Sequence, residues 1–361
     1  MKILHVETGR HFYGGPQQVV YLVAALQQLG HENTVVCPPG SGADSAARAK
    51  GIRVQNLFCA GDLDLPFAYR LTQYINETKP DLVHCHSRRG ADVLGGLAAS
   101  FADVPAVVTR RVDNTEMQLI ATLRYRPFKK IIAISDAIAE VLRGLGVDDS
   151  RLAVIRSAVD AGAFASAPDR AAFQKQFAVP EGTFVMAAAG QLIARKGHRF
   201  LLDALGKLRA EGRPIRLILF GEGELEAALR AQAADLKLGE AVQFAGYRDD
   251  LDTYVGCFDL FAHPSLAEGL GVATLKAQAA GVPVVGFAAG GVSEAVEDGA
   301  TGLLVAPEDT AALAAAIARL MDDDARRGQM GAAGRVRMRE EFSIEVMTRR
   351  HIELYDSVIS N

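Results

Sequence analysis

The sequence HPSLAEGLGVATLKAQAAGVPVV, residues 263–285, places a strand end, a glycine-containing loop, a helix and a buried strand in immediate succession. Pro264 and Ser265 end the apolar strand, and Gly269 and Gly271 leave backbone amides uncovered where the helix begins. The first amides of a helix have no intrahelical partner, and they attract anions. We therefore predict that a phosphate-sized ligand binds at this helix start.

Glu268 lies at the mouth of the same loop. A carboxylate beside amides that hold a diphosphate can accept hydrogen bonds from the hydroxyls of a sugar. In a second interpretation, Glu268 only complements the positive end of the helix dipole. This short segment alone does not decide between the two.

Short apolar strands alternate with helices on both sides of this stretch. Parallel sheets that are covered by helices on both faces have this alternation. An Ala-, Ser- and Pro-rich stretch at 157–169 is typical of an exposed linker. We therefore predict an α/β protein of two Rossmann-like, doubly wound parallel-sheet domains that face each other across a cleft. The predicted strands are 3–6, 34–37, 81–86, 104–109, 131–134, 152–155, 184–189, 215–220, 242–245, 258–263, 283–285 and 303–305.

The glycine pair Gly14-Gly15 follows the first predicted strand and precedes an apolar pattern with helical spacing. Pro16 fits the first turn of that helix, where its missing N–H costs nothing. The two glycines let the backbone approach a phosphate closely. A glycine pair alone is weak support for a phosphate site.

The composition limits the classes of function. A chain of 361 residues is long enough for two domains, and 49% hydrophobic and 23% charged residues are typical of a globular protein. The formal net charge is −4, so nucleic acid is not an expected partner. Residues 1–165 carry 18 basic and 16 acidic residues, against 21 and 27 in the remainder, which makes the N-terminal half the basic one.

The four cysteines lie far apart, without the spacing of a zinc site or of a disulfide framework. Reduced thiols of this kind are typical of a cytoplasmic protein. The first residues enter a strand pattern directly, and no stretch has the ~18 apolar residues that span a bilayer. We therefore expect a cytoplasmic protein and leave contact with the inner face of the membrane open.

Residues of the opening stretch recur in a known order: Pro264, Ser265, Glu268, Gly269, Gly271, Ala277, Ala279, Gly281 and Pro283 to Val285. They resemble the nucleotide-binding signature of family 4 retaining glycosyltransferases, PS-x(2)-EG-x-G-x(4)-EA-x-A-x-G-x-PVV. In that family the first glutamate faces the transferred sugar, and the second usually holds the ribose hydroxyls. Lys276 occupies the position of the second glutamate here.

Three outcomes are open at Lys276, because a lysine cannot accept hydrogen bonds from ribose. In the first, another carboxylate holds the ribose. In the second, Lys276 contacts an oxygen-rich group of an altered donor. In the third, the site no longer catalyses the transfer. We expect the second outcome, since Lys276 lies about a turn and a half into the helix that starts at the diphosphate amides. A solvated helix lysine is the plain alternative.

Two further segments resemble the same family. Gly190, Leu192, Lys196 and Gly197 match G-R-L-x(3)-K-G, with Gln191 in place of the arginine. Arg195 either supplies that missing charge or is an ordinary solvated cation. The segment DLVHCHS, residues 81–87, resembles the family's Asp-x-Val-His-x-His pattern.

His86 ends that segment at the carboxyl end of a predicted strand, where doubly wound sheets bind ligands. The alternative is a satisfied structural histidine. Arg111 stands two residues after Thr109, where the family commonly has a histidine.

The resemblance implies the GT-B fold and a metal-independent retaining glycosyltransferase of the hexosyltransferase type. It implies transfer from a nucleotide-diphosphate sugar, expected to be UDP-linked, to a cell-envelope glycan or lipid-linked acceptor. No cofactor or metal is expected; Asp62 and Asp64 have the Asp-x-Asp spacing but lie in an early loop. The alternatives are a nucleotide-sugar 2-epimerase of the same fold and a catalytically silent nucleotide-sugar-binding partner protein.

On this resemblance, residues 1–165 form the acceptor-side domain, 166–341 the nucleotide-sugar domain, and 342–361 a helix that crosses back to the first domain. Lys196 is expected to carry the charge that holds the diphosphate, and Glu268 to orient the sugar. The expected catalytic residues are Glu268 and His86; those at the donor diphosphate are Gly14, Gly15, Arg195, Lys196, Leu270, Gly271 and Val272; those at the nucleotide are Lys276, Gly221, Tyr247 and Arg248; those on the acceptor side are Arg110 and Arg111.

The segment 110–130 interleaves six basic residues with apolar ones. Such a segment can lie on an anionic membrane or bind an anionic acceptor. A run of charges is more often a solvated face. Both interpretations stay open at this stage.

Overall fold

Two parallel β-sheets form the framework of the protein in a computed structural model, which describes residues 1–88, 90–113 and 116–360. The chain divides into two compact units. Unit 1 contains Met1–Ala158 and the C-terminal segment that begins at Ile344, and unit 2 contains Val159–Ser343. Each unit is an α/β domain built on one sheet. The predicted pair of Rossmann-like domains is therefore confirmed.

Unit 1 has a seven-stranded sheet with the order β3-β2-β1-β4-β5-β6-β7, in which all neighbours are parallel. The strands are β1 (Lys2–Val6), β2 (Glu32–Cys37), β3 (Arg53–Asn56), β4 (Leu82–Cys85), β5 (Ala106–Arg110), β6 (Lys130–Ala133) and β7 (Leu152–Val154). The helices are α1 (Gly14–Gln28), α2 (Gly42–Ala49), α3 (Leu65–Thr78), α4 (Gly96–Phe101), α5 (Gln118–Tyr125) and α6 (Asp136–Gly144).

Unit 2 has a six-stranded parallel sheet with the order β10-β9-β8-β11-β12-β13. The strands are β8 (Phe184–Ala189), β9 (Ile215–Phe220), β10 (Val242–Gly246), β11 (Leu260–His263), β12 (Val284–Phe287) and β13 (Gly302–Val305). The helices are α7 (Arg170–Gln176), α8 (His198–Ala210), α9 (Glu226–Asp235), α10 (Val272–Ala279), α11 (Val292–Ala295), α12 (Thr310–Met321) and α13 (Asp324–Glu340).

The last helix, α14 (Ile344–Ile359), belongs to unit 1. Its buried Met347 and Tyr355 join a core cluster that also contains Ile3 and Leu82. Unit 2 begins at Val159, before the predicted start at 166, and Val159 N donates to the carbonyl of Phe342 at 2.8 Å. This contact ties the linker to the end of unit 2.

The sequence pattern does not predict four elements of unit 1, which are α2, α4, α5 and β3. Strand β3 has the sequence RVQN at the edge of the sheet, and no residue in it is fully buried, so it lacks an apolar run. Helix α2 is short, and Ser41 caps it by accepting a hydrogen bond from Asp44 N at 3.2 Å. A Ser-x-x-Asp start without a strong apolar stripe is easily taken for a loop.

Among the described residues, no helix is both long enough and apolar enough to cross a membrane. The four cysteines are buried and free.

Candidate active site

The strand order of unit 2 reverses direction between β8 and β11, which lie side by side at the centre of the sheet. In open α/β sheets, ligands bind beyond the carboxyl ends of the strands at such a switch point. Lys196 lies in the loop that follows β8, and Glu268 in the loop that follows β11. The topology therefore brings together two residues that are far apart in sequence.

The Lys196 ammonium and Glu268 Oε2 form a direct ion pair. The side chains are only 13% and 14% exposed. His263, the last residue of β11, lies on the other side, with its Nε2 3.3 Å from Glu268 Oε2. The carboxylate is thus held by a cation and lies beside a buried imidazole, and it keeps acceptor capacity for a ligand.

The protonation states of this group follow from its burial. Burial alone would raise the pKa of Glu268, but the nearby His263 ring and the charge of Lys196 hold the pKa of that carboxyl well below its usual range. Burial lowers the pKa of His263, although Glu268 partly offsets this. Around neutral pH, Glu268 is therefore a carboxylate and His263 a neutral imidazole.

Glycines allow the loops of this site to pack closely. Gly197 has a φ of 66°, and a Cβ there would lie 1.9 Å from the carbonyl oxygen of Pro264. Gly291 N donates to the main-chain oxygen of Glu268 at 2.9 Å, and a Cβ on Gly290 would lie 2.5 Å from that oxygen. Any larger residue at these positions would displace the backbone that carries Lys196 or Glu268.

Helix α10 begins at Val272, after Gly271 in the left-handed region with a φ of 85°. No side chain caps this start, and its first turn contains no acidic residue. Glu268 pairs with Lys196 beside this helix start, and its two interpretations, as a partner of sugar hydroxyls and as a complement of the helix dipole, both stay predictions. Leu270 is 1% exposed and anchors the loop by packing.

Arg195 lies at the rim of this site. Its Nη1 donates to the carbonyl of Ala267 at 3.2 Å, and its own carbonyl accepts from Leu266 N at 2.8 Å. These bonds join the loop after β8 to the loop after β11. The side chain is exposed, so its guanidinium can contact a ligand as well as the loop.

Lys276 is paired inside unit 2. Its Nζ donates to both carboxylate oxygens of Asp252, at 2.9 and 2.8 Å. Asp252 is 41% exposed, whereas Lys276 is 19% exposed. A carboxylate therefore lies beside the position at which the family signature has its second glutamate.

Of the other residues predicted at the nucleotide, Tyr247 and Arg248 lie close to Asp252 in sequence, and Gly221 follows β9. Arg248 donates to both oxygens of Asp250, at 2.7 and 2.6 Å. Tyr247 is 58% exposed, and its N–H donates to Glu222 Oε1 at 3.4 Å. Gly221 has a φ of 128°, and a Cβ there would lie 2.0 Å from the carbonyl of Gly190. Tyr247 is thus free to contact a ligand, whereas the Arg248 guanidinium is engaged.

Unit 1 has its switch point between β1 and β4. His86 follows β4, its N–H donates to the carbonyl of Val6 at 2.9 Å, and it is 1% exposed. His5 Nδ1 and His86 Nε2 lie 3.0 Å apart, and His5 Nε2 lies 3.1 Å from Asn33 Oδ1. His86 Nδ1 is buried with no hydrogen-bond partner among the described residues.

Four histidines form a buried cluster in unit 1: His5, His84, His86 and His351. Burial lowers the pKa of His5 to about 4 and that of His351 to about 3, and it holds the pKa values of the other two well below the usual range. His84 bonds Tyr355 Oη at 2.6 Å and Thr109 Oγ1 at 2.7 Å.

Ring nitrogens of His5, His84 and His86 lie within 4.8 Å of one another. Both nitrogens of His84 already have protein partners, and the positive charge of Arg111 acts on the rings. The cluster is therefore better described as a neutral hydrogen-bonded core than as a set of metal ligands.

Arg110 is 2% exposed, and its Nη1 pairs with Glu116 at 2.9 Å and Tyr125 Oη at 2.8 Å. Arg124 pairs with Asp92 at 2.6 Å and Glu116 at 3.1 Å. These two basic residues of the segment 110–130 therefore belong to a buried network, not to a solvated face. Residues 114 and 115 of that segment lie outside the described residues.

Two residues of the site carry no prediction from sequence. His263 lies in the quoted stretch, but a histidine at a strand end is usually structural. Asp252 is one of several acidic residues in a polar turn, and only the contact with Lys276 distinguishes it. A search for a carboxylate near the substituted glutamate position could have found it.

Comparisons with known proteins agree with this architecture. A family model described as Glycosyltransferase Family 4 matches residues 13–162, and one described as Glycosyl transferases group 1 matches residues 169–337. The chain has the GT-B fold of glycosyltransferases. The HepE protein of Anabaena, solved in complex with UDP and glucose, has a TM-score of 0.89 at 23% identity, covering 99% of this chain and 100% of that one.

Curated relatives extend over most of the chain. The chain is 30% identical over 356 residues to a GDP-mannose-dependent alpha-(1-6)-phosphatidylinositol monomannoside mannosyltransferase of Mycolicibacterium smegmatis, covering 89% of each. It is 28% identical to the lipopolysaccharide core biosynthesis glycosyltransferase LpsE of Rhizobium meliloti, covering 99% of each. A mannosyltransferase of Corynebacterium glutamicum is 36% identical, and there the match spans 55% of the relative's length.

The chain therefore belongs to the family 4 glycosyltransferases. The relatives are named as transferases, so neither the epimerase nor the silent-binder alternative is favoured.

Proposed function

We propose that the protein transfers a sugar, with retention of configuration, from a nucleotide-diphosphate sugar to a cell-envelope glycan or lipid-linked acceptor. The observation that carries this proposal is the Lys196–Glu268 ion pair beside the uncapped start of α10. A cation and free helix amides suit a diphosphate, and a buried carboxylate suits sugar hydroxyls. The proposal assigns the donor to unit 2.

In the proposed reaction, the bond between the anomeric carbon and the diphosphate oxygen breaks, and its electron pair stays on the diphosphate. An acceptor hydroxyl forms the new bond from the same face, and its proton passes to the leaving phosphate oxygen. Lys196, Arg195 and the amides at Gly271 and Val272 stabilise the growing negative charge. One such preorganised donor typically lowers the activation free energy by about 3–4 kcal/mol. This scheme requires no metal ion and no general base.

The donor nucleotide is proposed to be UDP-linked, with GDP as the alternative. The Anabaena neighbour is described in complex with UDP-glucose, whereas the mycobacterial relative is described as GDP-mannose-dependent. Titration of UDP and GDP into the protein distinguishes them through the rise in melting temperature. Ligand at 100 times its Kd adds about 2.7 kcal/mol of stability.

For the nucleotide end of the site, the Lys276–Asp252 contact supports the first of the three outcomes. Asp252 supplies the carboxylate that accepts hydrogen bonds from the ribose, and Lys276 orients it. Direct contact between Lys276 and the donor, the outcome expected from sequence, would require this pair to open. Gly221 and Tyr247 are proposed to line the same pocket.

The acceptor is proposed to meet unit 1, and α5 offers a surface for a lipid-linked acceptor. Leu119, Ile120 and Leu123 on this helix are 68%, 45% and 61% exposed. The neighbouring Arg126 and Lys129 are also exposed. Apolar side chains beside cations suit the interface of an anionic membrane.

The membrane contact is tested with anionic lipid vesicles at low and high salt. Leu119→Ser with Leu123→Ser should abolish binding, and Arg126→Gln with Lys129→Gln should reduce it several-fold at low salt, where screening is weak. Lys175→Gln in unit 2 is the matched control. Binding that is unchanged by both double variants contradicts this part of the proposal.

Kinetics of Lys196→Ala and Glu268→Gln test the main proposal. Lys196→Ala should weaken nucleoside diphosphate binding and lower turnover by about 10²–10³. Glu268→Gln should lower turnover while it leaves nucleotide affinity nearly intact, because its role concerns the sugar. Arg199→Ala, in the first turn of α8, is the control. Equal losses of nucleotide affinity in both variants would contradict the division of roles.

A further inference from the structure

His263 ends β11 beside the Lys196–Glu268 pair, and its side chain is only 5% exposed. Its Nε2 lies 3.3 Å from Glu268 Oε2, yet it makes no hydrogen bond of good geometry among the described residues. Lys196 Nζ contacts the same carboxylate oxygen. A buried ring nitrogen without a partner costs free energy, so the position of this ring calls for an explanation beyond packing.

The His263 ring is held in place by the sheet and by the start of α10. Its plane lies at 19° to that of Phe261, and a Cβ on Gly286 in β12 would be 3.4 Å from the Cβ of His263. A Cβ on Gly271 would be 3.6 Å from Nε2 and 3.5 Å from Glu268 Cγ. Nε2 therefore lies close to both Glu268 and the helix start at which the diphosphate is proposed to bind.

Charged groups act on this ring from the loops after β8 and β11. Burial is the largest cause of the lowered pKa of His263. Lys196 and Arg195 add to the lowering, whereas Glu268 opposes it. His198, at the start of α8, is neutral because burial lowers its pKa to about 4, and the first turn of α10 contains no acidic residue. A ligand that neutralises the two cations therefore leaves Glu268 as the charge that acts on the ring.

We propose that His263 is a positioning residue, which replaces Lys196 as the partner of Glu268 when the donor binds. The inference rests on the proposed function, in which Lys196 contacts the donor diphosphate. When the Lys196 ammonium binds the phosphate oxygens, Glu268 Oε2 loses its cation, and the Nε2–H of His263 donates to that oxygen instead. The carboxylate thus keeps its orientation towards the sugar hydroxyls after its first partner has left.

The exchange of partners changes the proton affinity of the ring. Once phosphate pairs with Lys196, this cation no longer opposes a proton on His263, so the pKa of His263 is expected to rise when a nucleoside diphosphate binds. The proton comes from the solvent. By linkage, nucleotide affinity is then higher below the pKa of His263 in the free protein, and this gain is lost as the pH rises through the higher pKa in the complex.

The test follows the imidazole resonances of the full chain, labelled with ¹⁵N at its eight histidines, while UDP or GDP is added at several pH values. The resonance that disappears in His263→Gln, or in His263→Asn if the first variant does not fold, identifies the ring. Nucleotide is expected to shift the Nε2 signal to that of a hydrogen-bonded N–H and to move the titration of His263 to higher pH. An unchanged signal in the nucleotide complex overturns the proposal.

Glu268→Gln tests whether the carboxylate causes the shift. This variant keeps the His263 ring but removes the negative charge beside it, so the nucleotide should no longer move the titration of His263 to higher pH. A shift of the same size in Glu268→Gln would show that the nucleotide acts on the ring without Glu268, and it would overturn the proposal.

The pH dependence of nucleotide affinity gives a second readout. His263→Gln keeps an N–H donor but cannot titrate, so the ratio of its Kd values at about pH 7.5 and about pH 5.5 should be about three- to tenfold smaller than in the unsubstituted protein. The terminal phosphate of the nucleotide titrates alike with every variant, so the difference between variants belongs to the protein. An unchanged ratio contradicts the proposal.

His198→Gln is the matched control, because His198 is also a buried histidine of unit 2. It should leave the ratio of Kd values unchanged, and a loss confined to this variant would overturn the proposal. If neither nucleotide binds the unsubstituted protein, the proposed function fails, and this inference fails with it. Nucleotide binding that leaves His263 unchanged contradicts the inference alone, so the two failures are distinguishable.

Discussion

The switch points of the two sheets share a topology but differ in how charge is balanced. In unit 2, the loops after β8 and β11 bring Lys196 and Glu268 together, so opposite charges compensate each other before any ligand arrives. In unit 1, neutral histidines fill the equivalent place, and the Nε of the neighbouring Arg111 has no hydrogen-bond partner among the described residues. One fold can therefore present a closed ion pair at one sheet and a cluster of neutral rings at the other.

The largest effect is expected from breaking the pair in unit 2. Lys196→Met should lower the free energy of unfolding by about 3–5 kcal/mol, because it leaves the largely buried Glu268 without its cation. Adding Glu268→Gln should recover most of that loss. Chemical denaturation of the two single variants and the double variant measures the coupling. Strictly additive losses would show that the two charges do not depend on each other.

Acid should affect unit 1 more than unit 2. Buried histidines with lowered pKa values, such as His5 at about 4 and His351 at about 3, stay neutral in the folded state while the unfolded chain takes up protons below pH 6.5. The stability is therefore complete above pH 6.5 and falls as the pH drops towards 4, by up to about 1.4 kcal/mol per pH unit for each histidine. The raised pKa of Glu7 offsets part of this loss.

Hydrogen exchange between pH 7 and 5, corrected for intrinsic rates, measures this difference unit by unit. The amides of unit 1 should lose more protection, since unit 2 has only His198 and His263 as buried histidines of this kind. His11→Gln, at an exposed position, should not alter how the protection of unit 1 changes with pH. Equal loss of protection in both units would contradict the predicted difference in their sensitivity to acid.

A smaller effect is expected at the hydrogen bond between Tyr355 Oη and His84 Nδ1, 2.6 Å long. Tyr355→Phe leaves a buried ring nitrogen without its partner and should cost about 1–3 kcal/mol. Tyr69→Phe is the control, since Tyr69 is 65% exposed. Thermal unfolding measures both variants. A loss no larger than that of the control would show that water or another group satisfies His84.

The smallest effect on stability is expected at the half-exposed Lys276–Asp252 pair, because such ion pairs contribute about 0–1 kcal/mol. Lys276→Ala and Asp252→Asn should each weaken nucleotide binding by about tenfold if Asp252 holds the ribose. Titration of UDP and GDP measures this, with Asp235→Asn as control. Lys276→Glu separates the alternatives: tighter binding indicates a lost ribose contact, and weaker binding indicates repulsion of phosphate.

The sequence predicts the fold well because buried parallel strands are continuous apolar runs. The six strands of unit 2 agree with the predicted ones to within two residues at each end. The edge strand β3 departs from this pattern because its side chains are partly solvated. Local composition therefore reveals the centre of a sheet more reliably than its edge.

The sequence predicts the site less completely, because charge partners are set by tertiary packing. Lys196 and Glu268 were expected at one ligand, and the structure places them in direct contact. Nothing local in sequence indicates that Arg110 pairs with Glu116 whereas the Nε of Arg111 has no hydrogen-bond partner in the described part of the chain. The roles of these residues in catalysis stay predictions, and the experiments above address them.

The position of α14 has a consequence for the order in which the protein is made. Unit 2 is contiguous in sequence, so all of its residues leave the ribosome before Ile344 does. The core cluster of unit 1, by contrast, includes Met347, Tyr355 and Val358, which are translated after all of unit 2. Unit 1 therefore begins before unit 2 and is completed after it, and until then Ile3 and Leu26 lack some of their native neighbours.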